Sequence, residues 1–306
     1  PLACIPTTAG TGSEASMAAV IKEPREKVKL EIADFPLFPR LAILDPETTR
    51  TLPAPVAAAT GMDAMTHAVE GYVSTDWSPH QDARSLQALR MIRDNLERAV
   101  EDTSDEEARG NMLVAASLAI TIQLGSVHAM SHPAGAHFGV PHGVANAIHL
   151  PHVIRFNAAG GADIADRYRD INELFGIEAG GSDDAVGDAL ASHVSAMTAQ
   201  MGLPTRLSEV GVPEAGIPAL VESPFLFFDR FGGTDDPLAD GRGRTVVGDW
   251  VIKKIDVGRS RDDTSHATIN VSAGDQQSLD RFLAVRVICA VLAPIAAYLA
   301  FTNSPF

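Results

Sequence analysis

The sequence predicts a two-part chain, α/β plus all-α, with a short strand-rich opening followed by a helical domain. Three observations predict it. MAAVIK, KVKLEI and RLAILD, within residues 17–45, are short apolar runs separated by charged or Pro-containing turns, as strands are. From Leu52 onward apolar residues recur at helical spacing over longer stretches. Clusters of turn-formers divide those stretches: SPH at 78–80, DTSD at 102–105, AAGG at 158–161 and EAGGSDD at 178–184.

Residues 1–46 read as strands and loops. Gly10, Gly12 and Ala15 fit the letters of a dinucleotide fingerprint, but that motif needs a preceding strand, and Pro6 interrupts ACIPTT. A polar turn is the better reading. The predicted helices are Pro53–Val73, Gln81–Val100, Glu106–Leu124, His142–Asn157, Ile164–Phe175 and Asp183–Met201. The first, PAPVAAATGMDAMTHAVEGYV, is Ala-rich and apolar on most faces, as a buried helix is. Ser182 or Asp183 can cap the last. The predicted domains are 1–46, 47–222 and an atypical tail, 223–306.

The chemistry concentrates between Gly125 and Val153, which hold six of the ten histidines: His128, His132, His137, His142, His149 and His152. Neutral imidazole is the commonest metal ligand. On one unbroken helix His128 and His142 would stand roughly 21 Å apart, so the chain must turn back for them to meet. His132-Pro133, Gly135, Gly139 and Pro141 supply the break. The expectation is a helix ending near His128, a bent segment, and a helix restarting near His142. His149 is two turns further on and is expected to pack. Asp63 and His67, four apart, share one face of the first helix. A carboxylate and three imidazoles from Asp63, His67, His128 and His142 would form a four-ligand site for a divalent metal. Ligand types leave iron, zinc, nickel and copper open.

Composition narrows the partners. The 306 residues are 45% hydrophobic and 21% charged, a globular composition, and the net charge of −15 comes without a basic run. Nucleic acid and an anionic membrane surface are therefore not expected. Two distant cysteines imply no disulfide framework, and the default location is cytoplasmic. RFLAVRVICAVLAPIAAYLAF, at 281–301, approaches the length of a bilayer span, but Arg286 and Pro294 interrupt it. No membrane association is expected.

GMDAMTHAVEGY, followed by H-x3-H-P-x-G-A and then PHGVANA, resembles the metal-binding part of the iron-containing (group III) alcohol dehydrogenases. PTTAGTGSEAS, Pro6 to Ser16, resembles that family's cofactor-side loop, and Ile43 to Ala64 resembles the junction between its domains. The resemblance runs from about Leu2 to about Glu222. It implies the dehydroquinate synthase-like fold, with residues 1–46 as a remnant of the dinucleotide-binding domain. It also implies NAD(H) or NADP(H), with Fe2+, or alternatively Zn2+, on Asp63, His67, His128 and His142. His132 matches a histidine close to nicotinamide and substrate and is the candidate proton relay. Thr7, Thr8 and Ser16 would line the cofactor cleft, with Lys29 approaching from the neighbouring strand.

The reaction implied is hydride transfer between a small alcohol or aldehyde and the nicotinamide, the metal acting as Lewis acid. Dehydroquinate synthase-type cyclisation is the other enzyme class on this fold, and its motifs differ from those here. A homo-oligomer is left open. The family's Gly-Gly-Ser phosphate-binding motif lies upstream of PTTAGTGSE and has no counterpart in these residues. The alternative reading is therefore a truncated metal-binding remnant with weak cofactor binding and turnover.

Overall fold

The computed structural model describes residues 2–25, 27–75, 78–121 and 124–222, and six short strands between 239 and 272. In the opening segment β1 (Ala3–Cys4) and β4 (Leu41–Ala42) pair in parallel. Between them β2 (Ala18–Glu23) and β3 (Val28–Ala33) form an antiparallel hairpin, with Ala18 opposite Ala33 and Glu23 opposite Val28. These are the three apolar runs of the sequence, the third shortened to two paired residues.

Eight helices follow in this part of the chain: α1 (Ala54–Val73), α2 (Pro79–Glu101), α3 (Glu106–Ala119), α4 (Ser126–Phe138), α5 (His142–Ala158), α6 (Ala162–Phe175), α7 (Asp183–Gln200) and α8 (Ile217–Glu222). Three starts are capped by side chains legible in the sequence. Ser78 Oγ accepts the Gln81 amide at 3.1 Å, Asp105 accepts that of Ala108 at 2.9 Å, and Ser182 that of Ala185 at 3.4 Å. Gly139 and Gly176, at φ 73° and 67°, end α4 and α6 in the left-handed conformation.

α1 is the centre. Sixteen of its twenty residues are buried, so it must be enclosed, and it packs against α2, α3, α5 and α6. Small residues permit the close approach: a Cβ at Gly143 of α5 would lie 2.0 Å from the Ala59 carbonyl oxygen. Met62, Met65, Leu89, Leu96 and Ile154 are fully enclosed around it.

One expectation is corrected here. Helix was expected to end near His128 and break at Pro133, but α3 stops at Ala119 and α4 runs from Ser126 through Pro133 to Phe138. A proline this far inside a helix loses one backbone hydrogen bond and crowds the preceding turn. Burial outweighs that cost, because every residue from Ser131 to Ala136 is buried. The reversal comes later, at Gly139 and Pro141.

The PTTAGTGSE loop packs on helices. A Cβ on Gly10 would lie 2.5 Å from the Thr60 carbonyl oxygen; Gly12, at φ 58°, comes as close to that of Ala116. Only a 3-10 turn, Ser13–Ala15, follows, so a turn and not a fingerprint stands here. Arg109 of α3, buried, donates to the Pro46 carbonyl and to Thr49 Oγ1, tying the opening segment to the helices.

Residues up to 223 fall in one compact unit and 224–291 in another. In the second, β5 (Ala239–Asp240), β6 (Arg244–Val247), β7 (Trp250–Ile252) and β10 (Val271–Ser272) form an antiparallel sheet in the order β10-β7-β6-β5. β8 (Asp256–Gly258) pairs with β9 (His266–Thr268). Among the described residues no helix is long and apolar enough to cross a membrane, and the apolar segment 281–301 lies outside them.

Candidate metal centre

Three helices each deliver a pair of polar side chains spaced i, i+4. α1 brings Asp63 and His67, α4 brings His128 and His132, and α5 brings His142 and Asn146. Asp63 is their common neighbour. Its Oδ1 lies 3.7 Å from His67 Nδ1, 3.6 Å from His128 Nε2 and 3.6 Å from His142 Nε2. Donors around a tetrahedral ion with bonds near 2.1 Å stand about 3.4 Å apart. The donor atoms of Asp63, His67 and His128 lie within 4.8 Å of one another, and His142 completes the set from the more open side.

A second observation fits a cation. His67 Nδ1 is buried and has no hydrogen-bond partner among the described residues. Buried polar atoms are ordinarily satisfied, and a lone pair facing a carboxylate and two other imidazoles is satisfied by a metal. Three of the four residues expected as ligands thus cluster, His142 stands beside Asp63, and this donor set fits a divalent ion.

Charge is arranged accordingly. Burial pushes the Asp63 carboxyl up, but His67, His142 and His128 outweigh it and hold it well below the usual carboxylate range. Burial brings His67 down to about 4. Burial and then the Lys29 ammonium bring His142 well below its ordinary value. Burial lowers His128 too, but its hydrogen bonds to Asp63 and Glu70 prevail and raise it to about 9. The metal-free site at neutral pH thus carries one proton, on His128, that an incoming ion must displace. With one proton released per ion, the dissociation constant should fall about tenfold per pH unit from neutrality. It should level off above about pH 9, where free His128 is already deprotonated. A chelator-competition titration across that range measures this; a flat profile would contradict it.

Glu70 and Asn146 are the participants that the sequence reading passed over. Glu70 is buried, with Oε2 at 2.6 Å from His128 Nδ1 and Oε1 accepting the Val127 amide at 2.7 Å. Burial pushes its carboxyl up, but the hydrogen bonds and charge of His128, with the Gly125 and Val127 amides, hold it below the usual range. Its signal was present: Asp63, His67 and Glu70 are spaced i, i+4, i+7 on one helix face. Asn146, fully buried, donates from Nδ2 to Asp63 Oδ1 at 2.7 Å, and its Oδ1 has no partner among the described residues.

The remaining expected residues divide. The His132 ring stands 5.2 Å from that of His142 and 6.1 Å from that of His128, at the rim of the cluster. His132 was expected as a proton relay; burial and then Lys29 lower it to about 2. It is a neutral imidazole here, suited to passing a hydrogen bond rather than storing a proton. Lys29 Nζ, from β3, lies 3.5 Å from His142 Nδ1. Ser16 is buried and its Oγ accepts the Ala18 amide at 3.0 Å, so its hydroxyl is turned to the local backbone. Thr7 is exposed and Thr8 half-buried. His149 packs as expected, its Nδ1 at 2.7 Å from the Ala145 carbonyl.

Comparison with known proteins places the chain in a family. The family model described as Fe-containing alcohol dehydrogenase family, C-terminal, matches residues 57–232. This chain belongs to the iron-containing alcohol dehydrogenase family. The model for iron-containing alcohol dehydrogenase also matches residues 1–46 of this family member. Residues 244–292 match a different one, the LOR/SDH bifunctional enzyme conserved region, and fall almost wholly in the second compact unit. The iron-containing alcohol dehydrogenase match therefore extends ten residues beyond Glu222, where the resemblance was expected to end.

The chain is similar to the 1,3-propanediol dehydrogenase of Citrobacter freundii, 41% identical over 227 residues, covering 72% of this chain and 58% of that protein. It is 39% identical over 214 residues to the NADPH-dependent butanol dehydrogenase of Clostridium saccharobutylicum, covering 69% and 54%. A crystal structure of 1,3-propanediol oxidoreductase superposes with a TM-score of 0.68 at 39% identity, covering 72% and 59%. The chain thus spans somewhat over half the length of these relatives.

Proposed function

We propose that this chain carries the metal-binding part of a nicotinamide-dependent alcohol dehydrogenase acting on small alcohols and aldehydes. The observation that carries the reading is the buried cluster of Asp63, His67 and His128, with His142 Nε2 3.6 Å from the same Asp63 oxygen on the more open side. These residues would hold a divalent ion, Fe2+ by family or alternatively Zn2+. When bound, the ion supplies Lewis-acid polarisation of the substrate oxygen. The names of the relatives, propanediol and butanol dehydrogenases, support short alcohols as the substrate class. A nicotinamide cofactor, NAD(H) or NADP(H), would accept or supply the hydride.

The chain's own residues set the stage around that chemistry. Burial of Asp63, His67 and His128 excludes water from the closed side, leaving the side of His142, 30% exposed, for substrate. His132 would hold a hydrogen bond to the reacting hydroxyl and pass its proton outward. Lys29, beside His142, is the position best supported for contact with the cofactor; Thr7 and Thr8 keep their hydroxyls on an accessible loop.

Replacing His132 by glutamine should lower turnover of NAD(P)H with short aldehydes by about 100-fold, the lower end for general acid–base groups. Metal content should be unchanged. Loss of the ion in this variant would make His132 a ligand; unchanged turnover would remove it from the reaction.

A further inference from the structure

We propose that Glu70 is a positioning residue for the metal, fixing the ring orientation and tautomer of His128. The inference rests on the metal-centre reading above. Glu70 sits one turn beyond His67 on α1, and its carboxylate serves two groups at once. Oε2 is 2.6 Å from His128 Nδ1. Oε1 accepts the Val127 amide at 2.7 Å. A carboxylate can only accept, so Nδ1 must carry the hydrogen. That leaves the Nε2 lone pair for the ion, on the side where Asp63 Oδ1 waits 3.6 Å away.

The sequence makes room for this contact. Gly125 precedes α4, and a Cβ there would lie 2.8 Å from Glu70 Oε1. The carboxylate also sits at the N-terminus of α4, where free amides and the helix dipole favour an anion. One buried side chain of α1 therefore sets both where α4 begins and how its ligand points.

Glutamine at this position keeps the shape but has one acceptor oxygen for two donors. Its amide hydrogens face either a backbone amide or His128 Nδ1. In the second arrangement the imidazole takes the Nε2–H form, which cannot ligate. Groups that orient a ligating histidine typically contribute about 10–100-fold to metal affinity.

The test is Zn2+ affinity of the full chain by chelator competition, in wild type and in Glu70→Gln, with thermal unfolding of both metal-free proteins. A dissociation constant about 10–100-fold weaker in the folded variant is expected. A merely structural role would lower the unfolding temperature and leave Zn2+ affinity within a few-fold, which would overturn the proposal. Should the variant fail to fold, wild-type protein labelled with 15N-histidine and loaded with Zn2+ decides. His128 is expected to show a protonated Nδ1 and a zinc-bound Nε2; the opposite assignment overturns the proposal. If wild type itself binds no Zn2+, the metal-centre reading fails and this one with it; if wild type binds and Glu70→Gln binds equally, only this one fails.

Discussion

Replacing His142 by alanine is expected to strip the metal from the protein. Four-ligand structural zinc sites bind with about 10–16 kcal/mol, so a quarter share is roughly 3 kcal/mol, or about 100- to 1,000-fold in the dissociation constant. His142 is the ligand to remove because it costs the fold least. Its side chain is 30% exposed, against 3% or less for Asp63 and His128, and it opens α5 rather than sitting in a helix core. Metal analysis after exhaustive dialysis should find about one ion per wild-type chain and little in the variant. Equal metal in both would show that His142 is not a ligand, and would leave the site to Asp63, His67 and His128.

Alanine at Gly143 should be the most damaging single methyl in the helical unit. The added Cβ would stand 2.0 Å from the Ala59 carbonyl oxygen and 2.6 Å from its carbon, both in the backbone of α1. No rotamer change relieves that overlap. α5 would have to lift off α1, carrying His142 and Asn146 away from Asp63. Overpacking typically costs 1–3 kcal/mol, and a backbone collision belongs at about the upper figure. That corresponds to roughly a 10 °C fall in the unfolding midpoint, with weaker metal binding alongside. Gly61 is the control. A Cβ there would meet Leu96 Cδ1 at 2.1 Å, the far end of a side chain that can turn aside. Gly61→Ala also gains helix propensity of up to about 1 kcal/mol, so its net effect should be small. Thermal unfolding of the two variants checks the pair; a loss at Gly61 equal to that at Gly143 would sink the argument.

The sequence by itself determined most of the helices and which residues are candidates to hold a metal. Six predicted helices appear with every end within two residues except that of α3, which stops five residues early; Ser78, Asp105, Ser182 and Gly176 act locally. Asp63 and His67 were legible as a pair because four residues bring a helix back to the same face. His128 and His142 were legible because glycines and prolines between them demanded a reversal. Tertiary structure decided what depends on neighbours far along the chain. It carried α4 through Pro133, because burial on all sides outweighs one lost backbone hydrogen bond. It turned the Ser16 hydroxyl inward and set Lys29 beside His142, 113 residues away in sequence. It lowered His132 to about 2, since desolvation depends on what packs over a ring and not on which residues flank it. It also gave Glu70 its partner. A glutamate on an apolar helix reads the same whether it faces solvent or a histidine; only the fold brings the start of α4 to the end of α1 and sets its carboxylate at Nδ1 of the candidate ligand His128.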